Sequence, residues 1–294
     1  MISFLSHLVN GLSLGSVYAI IALGYSMVYG IAKMLNFAHG DVIMVGAYIS
    51  FCAAQYWGFP PLLCVLTAML ICTALGVMIE GLAYRPLRQA TSLAVLITAI
   101  GVSYFLQNTA LLIWGANPKS FPALIQLPSI ELFGGEMLIS GTVILTVVAN
   151  IVIMLALTFF TGHTKMGKAM RVVSEDRGAA ELMGINVNFT ISLTFAIGSA
   201  LAAIAGVLLC SAYPVLQPTT GSMPGIKAFT AAVFGGIGSI PGAMIGGILL
   251  GVIEILGKAY VSTELGDAFV FAVLIVVLLF KPTGLLGKKV HEKV

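Results

Sequence analysis

The chain is 294 residues long, 59% hydrophobic and only 9% charged, with a mean hydropathy of +1.07. Soluble globular proteins carry roughly 25% charged residues, so this chain lacks the charge to cover a water-facing surface. A soluble enzyme, a nucleic-acid binder and a disordered chain are excluded, and a net charge of +3 implies no polyanionic partner.

Asp, Glu, Lys and Arg are absent from 1–32, 42–79, 89–118, 137–164, 182–226 and 228–253. Each gap exceeds the roughly 20 residues that a membrane-spanning helix needs. Pro60-Pro61 divides the second gap, and Pro214, Pro218 and Pro224 mark a loop inside the fifth. Spans are expected near 9–31, 41–57, 61–83, 91–114, 138–160 and 189–211, with a broken pair within 225–258 and a last span at 266–281. The period-two alternation of outer-membrane strands is missing. The expected fold is therefore all-α, a polytopic helical bundle of about eight or nine transmembrane helices forming one domain, 1–294. Residues 1–30 lack a basic leading segment and a small-residue cleavage site, and read as the first span rather than a signal peptide.

Ten of the 14 basic residues fall in three segments: Arg85 and Arg88; Lys165, Lys168, Arg171 and Arg177; and Lys281, Lys288, Lys289 and Lys293. With nine crossings all three lie on one side, which the bias of Lys and Arg toward the inside makes cytoplasmic. The C-terminus is then cytoplasmic, the N-terminus external, and the 115–137 and 212–224 loops face out.

No catalytic or cofactor chemistry is indicated. Gly162-His-Thr-Lys-Met-Gly167-Lys168 is followed by Ala169, where a phosphate-binding loop needs a Ser or Thr for magnesium, and no strand is expected before it. Gly236-x-Gly238 lacks the third glycine of a dinucleotide fingerprint. His7, His39, His163 and His291 have no metal-ligand spacing, and the four cysteines sit singly in apolar runs as small buried hydrophobes.

Two regions interrupt the apolar pattern. Gly30 to Asp41 places Lys33, Asn36, His39 and Asp41 between two long apolar runs. It is either a polar connection at a membrane face or an interrupted helix lining a cavity, the setting in which irregular backbone is tolerated at membrane depth. From Gly235 to Gly257, eight glycines crowd around Gly236, Gly238 and Pro241. Gly/Pro-interrupted segments in corresponding halves point to a translocation pathway in transporters, so Asn36, Phe37, His39, Asp41, Gly236 and Gly238 are its candidate residues. Gly11-x-x-x-Gly15, Gly242-x-x-x-Gly246 and Gly247-x-x-x-Gly251 carry close-packing spacing, as does the stripe Ala196, Ser199, Ala200 and Ala203, for packing within the bundle or between subunits. Glu80 and Glu254 are ionisable groups inside apolar runs, Glu80 near Arg85 and Glu254 one turn from Lys258.

The charged segment 162–187 is the one sizeable polar loop. Ser174 is positioned as a helix N-cap, Glu175 and Asp176 suit the first turn, and Gly184 suits the C′ position. A helix of about nine residues is expected, exposing Ala179, Ala180, Leu182, Met183 and Ile185 as a docking surface for another protein.

Gly178-Ala179-Ala180-x-x-x-Gly184 resembles the E-A-A-x-x-x-G loop of bacterial ABC importer permeases, with Gly178 where Glu is usual. Val173 to Asn186, Leu35 to Asp41 and Phe234 to Gly242 together resemble the branched-chain amino acid permeases, over nearly the whole chain. The resemblance implies an inner-membrane subunit that moves aliphatic amino acids inward without catalysing a reaction. It implies as partners a second permease, like or unlike, two cytoplasmic ATPases that hydrolyse ATP, and a periplasmic or lipid-anchored substrate-binding protein. It also implies that Ser174, Glu175, Asp176, Ala179, Ala180 and Gly184 couple the chain to the ATPase. The family extends to urea and amides, and the alternative class is an ion-driven secondary transporter or channel, for which Glu254 is the strong candidate ion site.

Overall fold

A computed structural model describes residues 2–124, 127–132 and 137–287. The expected basic residues Lys288, Lys289 and Lys293 lie outside them. The helices are α1 (Ile2–Ala32), α2 (His39–Gln55), α3 (Pro61–Ile79), α4 (Ser92–Trp114), α5 (Gly141–His163), α6 (Lys165–Glu175), α7 (Arg177–Leu182), α8 (Val187–Ala212), α9 (Ser222–Gly235), α10 (Ile240–Tyr260) and α11 (Gly266–Phe280). Six helical stretches, those of α1, α3, α4, α5, α8 and α10, are long and apolar enough to cross a membrane, while α2, α9 and α11 are shorter. The remaining elements are two small antiparallel pairs. β1 (Lys119–Ser120) joins β4 (Val215–Leu216), and β2 (Ile130–Leu132) joins β3 (Met137–Ile139).

The helix starts follow from local chemistry. Thr91, Ser140, Asn186 and Ser239 each accept from a backbone N–H two or three residues on, satisfying donors the helix leaves unpaired. Pro61 opens α3, where its missing N–H costs nothing. After Ile79 the chain widens into a π-helical stretch, Glu80–Tyr84, before a 3₁₀ turn at Arg85–Leu87.

α1 is the axis of the bundle, buried from Gly11 to Val28 against α10, α8, α9 and α5. Its tightest neighbour is α10. A Cβ at Gly15 would fall 2.6 Å from the Ile248 carbonyl oxygen, and one at Gly11 would fall 2.8 Å from the Val252 Cα. The Gly11-x-x-x-Gly15 and Gly247-x-x-x-Gly251 stripes therefore face each other inside one chain. Gly242 and Gly246 meet Gly235 and Ala231 of α9, Gly46 of α2 meets Ala203, and Ser199 fills the space beside Gly76 of α3.

The helices alternate between two ends. One end gathers the end of α1, the 85–90 turn, α6–α7, the α9–α10 turn and residues 281–287. It is tied by an Arg177 N–H to the Ala32 carbonyl, by Gly30 against Gly238, and by Leu285 N–H to Phe234 O at 2.9 Å. The other end gathers the start of α1, the β1–β4 pair and the end of α10, where His7 stands edge-on to Tyr260 at 5.8 Å. The described residues of the three basic segments share the first end, called the basic end below.

Candidate functional site

After Ala32 the chain does not continue along the bundle. Lys33 adopts φ +55°, and residues 33–38 fold back so that α2 starts beside Gly24, two turns before the end of α1 and about 12 Å inside the basic end. A Cβ at Gly24 would lie 2.6 Å from His39 Nε2, and the His39 ring stands 4.6 Å from that of Tyr25. From Met34 on, the irregular segment is largely packed in protein, with Met34, Asn36 and Ala38 buried, the setting that tolerates such backbone. From the opposite side, the chain after β4 dips inward, and α9 starts at Ser222 against the start of α2. A Cβ at Gly40 would lie 2.7 Å from the Gly221 carbonyl oxygen, and one at Gly225 would lie 2.8 Å from the Gly40 Cα. Only glycine on both sides lets these backbones touch.

Two short helices therefore meet at their N-termini within the bundle, and neither start has a side-chain cap. Helix N-termini carry partial positive charge and outward-pointing N–H groups. Beside them lies the buried carboxylate of Asp41. Gln107 Nε2 stands 2.8 Å from Asp41 Oδ1, 3.2 Å from Ser103 Oγ and 3.3 Å from Ser222 Oγ, so one two-proton amide is shared among three acceptors on α2, α4 and α9. The arrangement sets a carboxylate and two uncapped helix starts side by side, joined by one neutral amide.

Of the candidate residues, His39 and Asp41 belong to this junction. Phe37 packs on Phe229 of α9 at 5.4 Å. Asn36 turns away, its Oδ1 accepting from Tyr84 Oη at 2.9 Å in the π-helical stretch. Gly236 and Gly238 do not join the cluster. They take φ +109° and +89° in the α9–α10 turn, where Gly238 N–H donates to Ser26 Oγ at 2.8 Å, and they close a packed hairpin at the basic end. Ser103, Gln107 and Ser222 carried no local signal in the sequence.

The 162–187 segment departs from expectation. Ser174 is not an N-cap: α6 runs through it to Glu175, held by buried Met170 and Val173, and its Oγ donates to Arg171 O at 2.7 Å. Asp176 is the cap instead, accepting from Ala179 N at 3.0 Å, so α7 is six residues long rather than nine. Its end is as expected: Gly184 has φ +77°, and Gly184 N–H to Glu181 O and Ile185 N–H to Ala180 O form a Schellman closure. Ala180 is buried and Ile185 half-buried, contrary to the expected apolar face. What remains exposed is Leu182 at 91% and Met183 at 79%, with Ala179. The Arg177 guanidinium donates to Ala32 O at the end of α1. Burial, and then the nearby Arg88, hold its pKa below the ordinary arginine value.

Glu80 pairs with Arg88, not Arg85, and also accepts from Ser192 Oγ at 2.5 Å; Arg88 donates as well to Asn188 at the start of α8. Glu254, 1% exposed, accepts from Lys258 Nζ at 2.5 Å as its spacing suggested. It also accepts from Lys227 Nζ at 2.7 Å and Tyr18 Oη at 2.9 Å, and Lys227 reaches Asp267 at 2.5 Å. Two cations thus balance two carboxylates. No group of His, Cys, Asp and Glu able to hold a metal occurs among the described residues.

A bundle of long apolar helices, with two shorter helices meeting inside it, has the architecture of a polytopic membrane protein. Residues 7–278 match the family model described as branched-chain amino acid transport system / permease component, and the chain belongs to that family. It is 48% identical to the high-affinity branched-chain amino acid transport system permease protein LivH of Salmonella typhimurium, and equally to BraD of Pseudomonas aeruginosa. Each match covers 99% of this chain and 98% of the relative. The solved structure of PsaBC from Streptococcus pneumoniae shares the fold, with a TM-score of 0.51, 14% identity, and coverage of 93% of this chain and 91% of that one.

Proposed function

We propose that the chain is the membrane subunit of an ATP-driven importer that carries branched-chain amino acids into the cytoplasm across the bacterial inner membrane. The observation that carries this reading is the 48% identity over nearly full length to permeases named for that substrate. The basic end faces the cytoplasm, as the Lys and Arg bias favours. Two ATPases bind there, a second permease completes the path, and a substrate-binding protein delivers from the other side. The whole chain acts as a single permease domain.

The coupling element is α7, presenting Ala179, Leu182 and Met183 to a groove on the ATPase while Asp176 and Gly184 fix its ends. Glu175 ends the preceding helix, and Ser174 and Ala180 face inward as support. The junction of α2 and α9 is the pathway constriction. There the substrate carboxylate meets two helix N-termini, its ammonium meets Asp41, and the aliphatic side chain lies along Phe37 and Phe229. Gly236 and Gly238 are hinge-like packing positions outside the substrate route. ATP binding biases two states of the bundle, so no bond chemistry is needed in this chain.

The test is leucine uptake by the chain with its second permease, reconstituted with and without the ATPases. Uptake that requires ATPases and ATP is expected, and Leu182→Asp should abolish it while the complex remains folded. An ion-driven transporter would need a buried carboxylate free to titrate. Glu254 is matched by two lysines, which leaves Asp41, whose partner Gln107 is neutral. Uptake driven by a proton gradient without ATPases, and lost in Asp41→Asn, would overturn the importer reading.

A further inference from the structure

At the basic end a cavity of ≈520 Å³ opens between the end of α1, the 85–90 turn, the start of α4 and the α6–α7 corner. Its walls are of two kinds. Lys33, Arg88 and Arg177 bring three cations to the lining, with Glu175 the carboxylate among the lining residues. Glu80, outside the lining, pairs with Arg88 and also accepts from Ser192, so it offsets Arg88 and leaves Lys33 and Arg177 against Glu175. Leu35, Leu87, Val95 and Val173 supply the apolar part of the lining.

The cations are incompletely used. Arg88 engages Glu80 and Asn188 through its two terminal nitrogens, while its Nε is buried with no hydrogen-bond partner among the described residues. Arg177 sits close enough to Arg88 for the two like charges to oppose each other, and Lys33, also in the lining, is exposed. Like charges converging on a cavity are stable when an anion lies between them. An anion alone would leave the apolar wall without purpose. A ligand carrying a carboxylate at one end and a branched aliphatic group at the other satisfies both kinds of lining, and Glu175 in the same lining can receive an ammonium group.

We propose that this cavity binds a free aliphatic amino acid from the cytoplasmic side, and that its occupancy slows the transport cycle. The proposal rests on the importer reading for the nature of the substrate and for the side the basic end faces. The slowing follows from where the walls come from. Lys33 and Leu35 belong to the segment that carries the chain from α1 into the α2–α9 junction, whereas Val173 and Arg177 belong to the coupling loop. A ligand held by both favours the state in which they are close, and it opposes any step that separates them. The site is distinct from the junction itself, which lies deeper and is lined by Asp41, Gln107 and Ser222.

The experiment uses the complete importer in nanodiscs without the binding protein, so that amino acid cannot be delivered by the normal route. ATPase activity is followed against L-leucine and against leucinamide, which lacks the carboxylate. Leucine is expected to lower the activity saturably, and leucinamide at equal concentration to leave it unchanged. Lys33→Asn keeps a residue tolerant of positive φ and removes one cation, so the half-maximal leucine concentration should rise about tenfold or more. Leu87→Trp fills the apolar side and should remove the response, with thermal melting of each variant confirming that it is folded. ATPase activity indifferent to leucine, or a half-maximal concentration unmoved by both variants, would overturn the proposal. So would activity that answers only to anionic lipid in the disc in a Lys33-dependent way, which would assign the cations to a lipid headgroup. Uptake driven by the binding protein is measured in parallel. If it proceeds while leucine has no direct effect, the cavity proposal alone falls; if uptake itself is absent, the importer reading falls with it.

Discussion

At the scale of single residues, a carboxylate buried like Glu254 survives only because its charge is answered. Removing one partner from a buried ion pair typically costs about 3–5 kcal/mol, because the remaining charge stays desolvated. Lys227 is buried, bridges Glu254 and Asp267, and has no substitute for the Asp267 contact; Lys258 is a third exposed and shares its acceptor oxygen with Lys227. Lys227→Met should therefore lower the melting temperature of the solubilised chain clearly more than Lys258→Met. Adding Glu254→Leu to Lys227→Met should recover part of the loss. Equal effects from the two lysines would show that the network does not share charge in this way. The Lys258 contact was legible because it lies one helical turn away. Lys227 and Tyr18 come from 27 and 236 residues off, and no local spacing announces such partners.

At the scale of elements, glycine decides how near two helices come. The stripes at Gly11/Gly15 and Gly247/Gly251 were visible as spacings, but only the fold shows that they are each other's partner. Gly15→Leu must push α10 away from the axial helix, an overpacking that costs about 1–3 kcal/mol or more and should cut the yield of monodisperse protein. Gly101→Leu on α4 is the control: nothing lies within 4 Å of its Cβ position, and it should be neutral. Similar losses at both positions would refute the packing account. Helix existence was legible because the charge-free runs end at good caps or at proline. The split of the charged loop was not, because Ser174 and Asp176 are both competent caps two residues apart. The choice fell to burial of Met170 and Val173, which carries α6 past Ser174. Likewise Gly221-x-x-x-Gly225 carries close-packing spacing, but nothing local links it to Gly40, so the meeting of α2 and α9 is a tertiary fact. The sequence allowed a loop or an interruption there, and packing against Gly24 and Gly198 makes it an interruption.

For the whole molecule, the two ends differ in charge as well as in architecture. Arg85, Arg88, Lys165, Lys168, Arg171, Arg177 and Lys281 gather at one end, while the other brings Lys119 in β1 and Lys258 in the last turn of α10, the latter paired with Glu254. That asymmetry is the ground for the proposed orientation, because basic loops are retained on the cytoplasmic side during insertion. Between Ser120 in β1 and Leu182 in α7 lies one long apolar helix, α5, so the two positions must face opposite sides of the membrane. Single cysteines at these positions, with the four native cysteines replaced, test this directly. A membrane-impermeant thiol reagent added to intact cells should label Ser120→Cys and leave Leu182→Cys untouched, and inverted vesicles should reverse the pattern. In those vesicles the ATPase subunits should also shield Leu182→Cys, since its exposed side chain belongs to the proposed docking face. Labelling of both positions from one side would mean that α5 does not span. Labelling of Leu182→Cys from outside would invert the molecule and remove α7 from reach of any cytoplasmic partner.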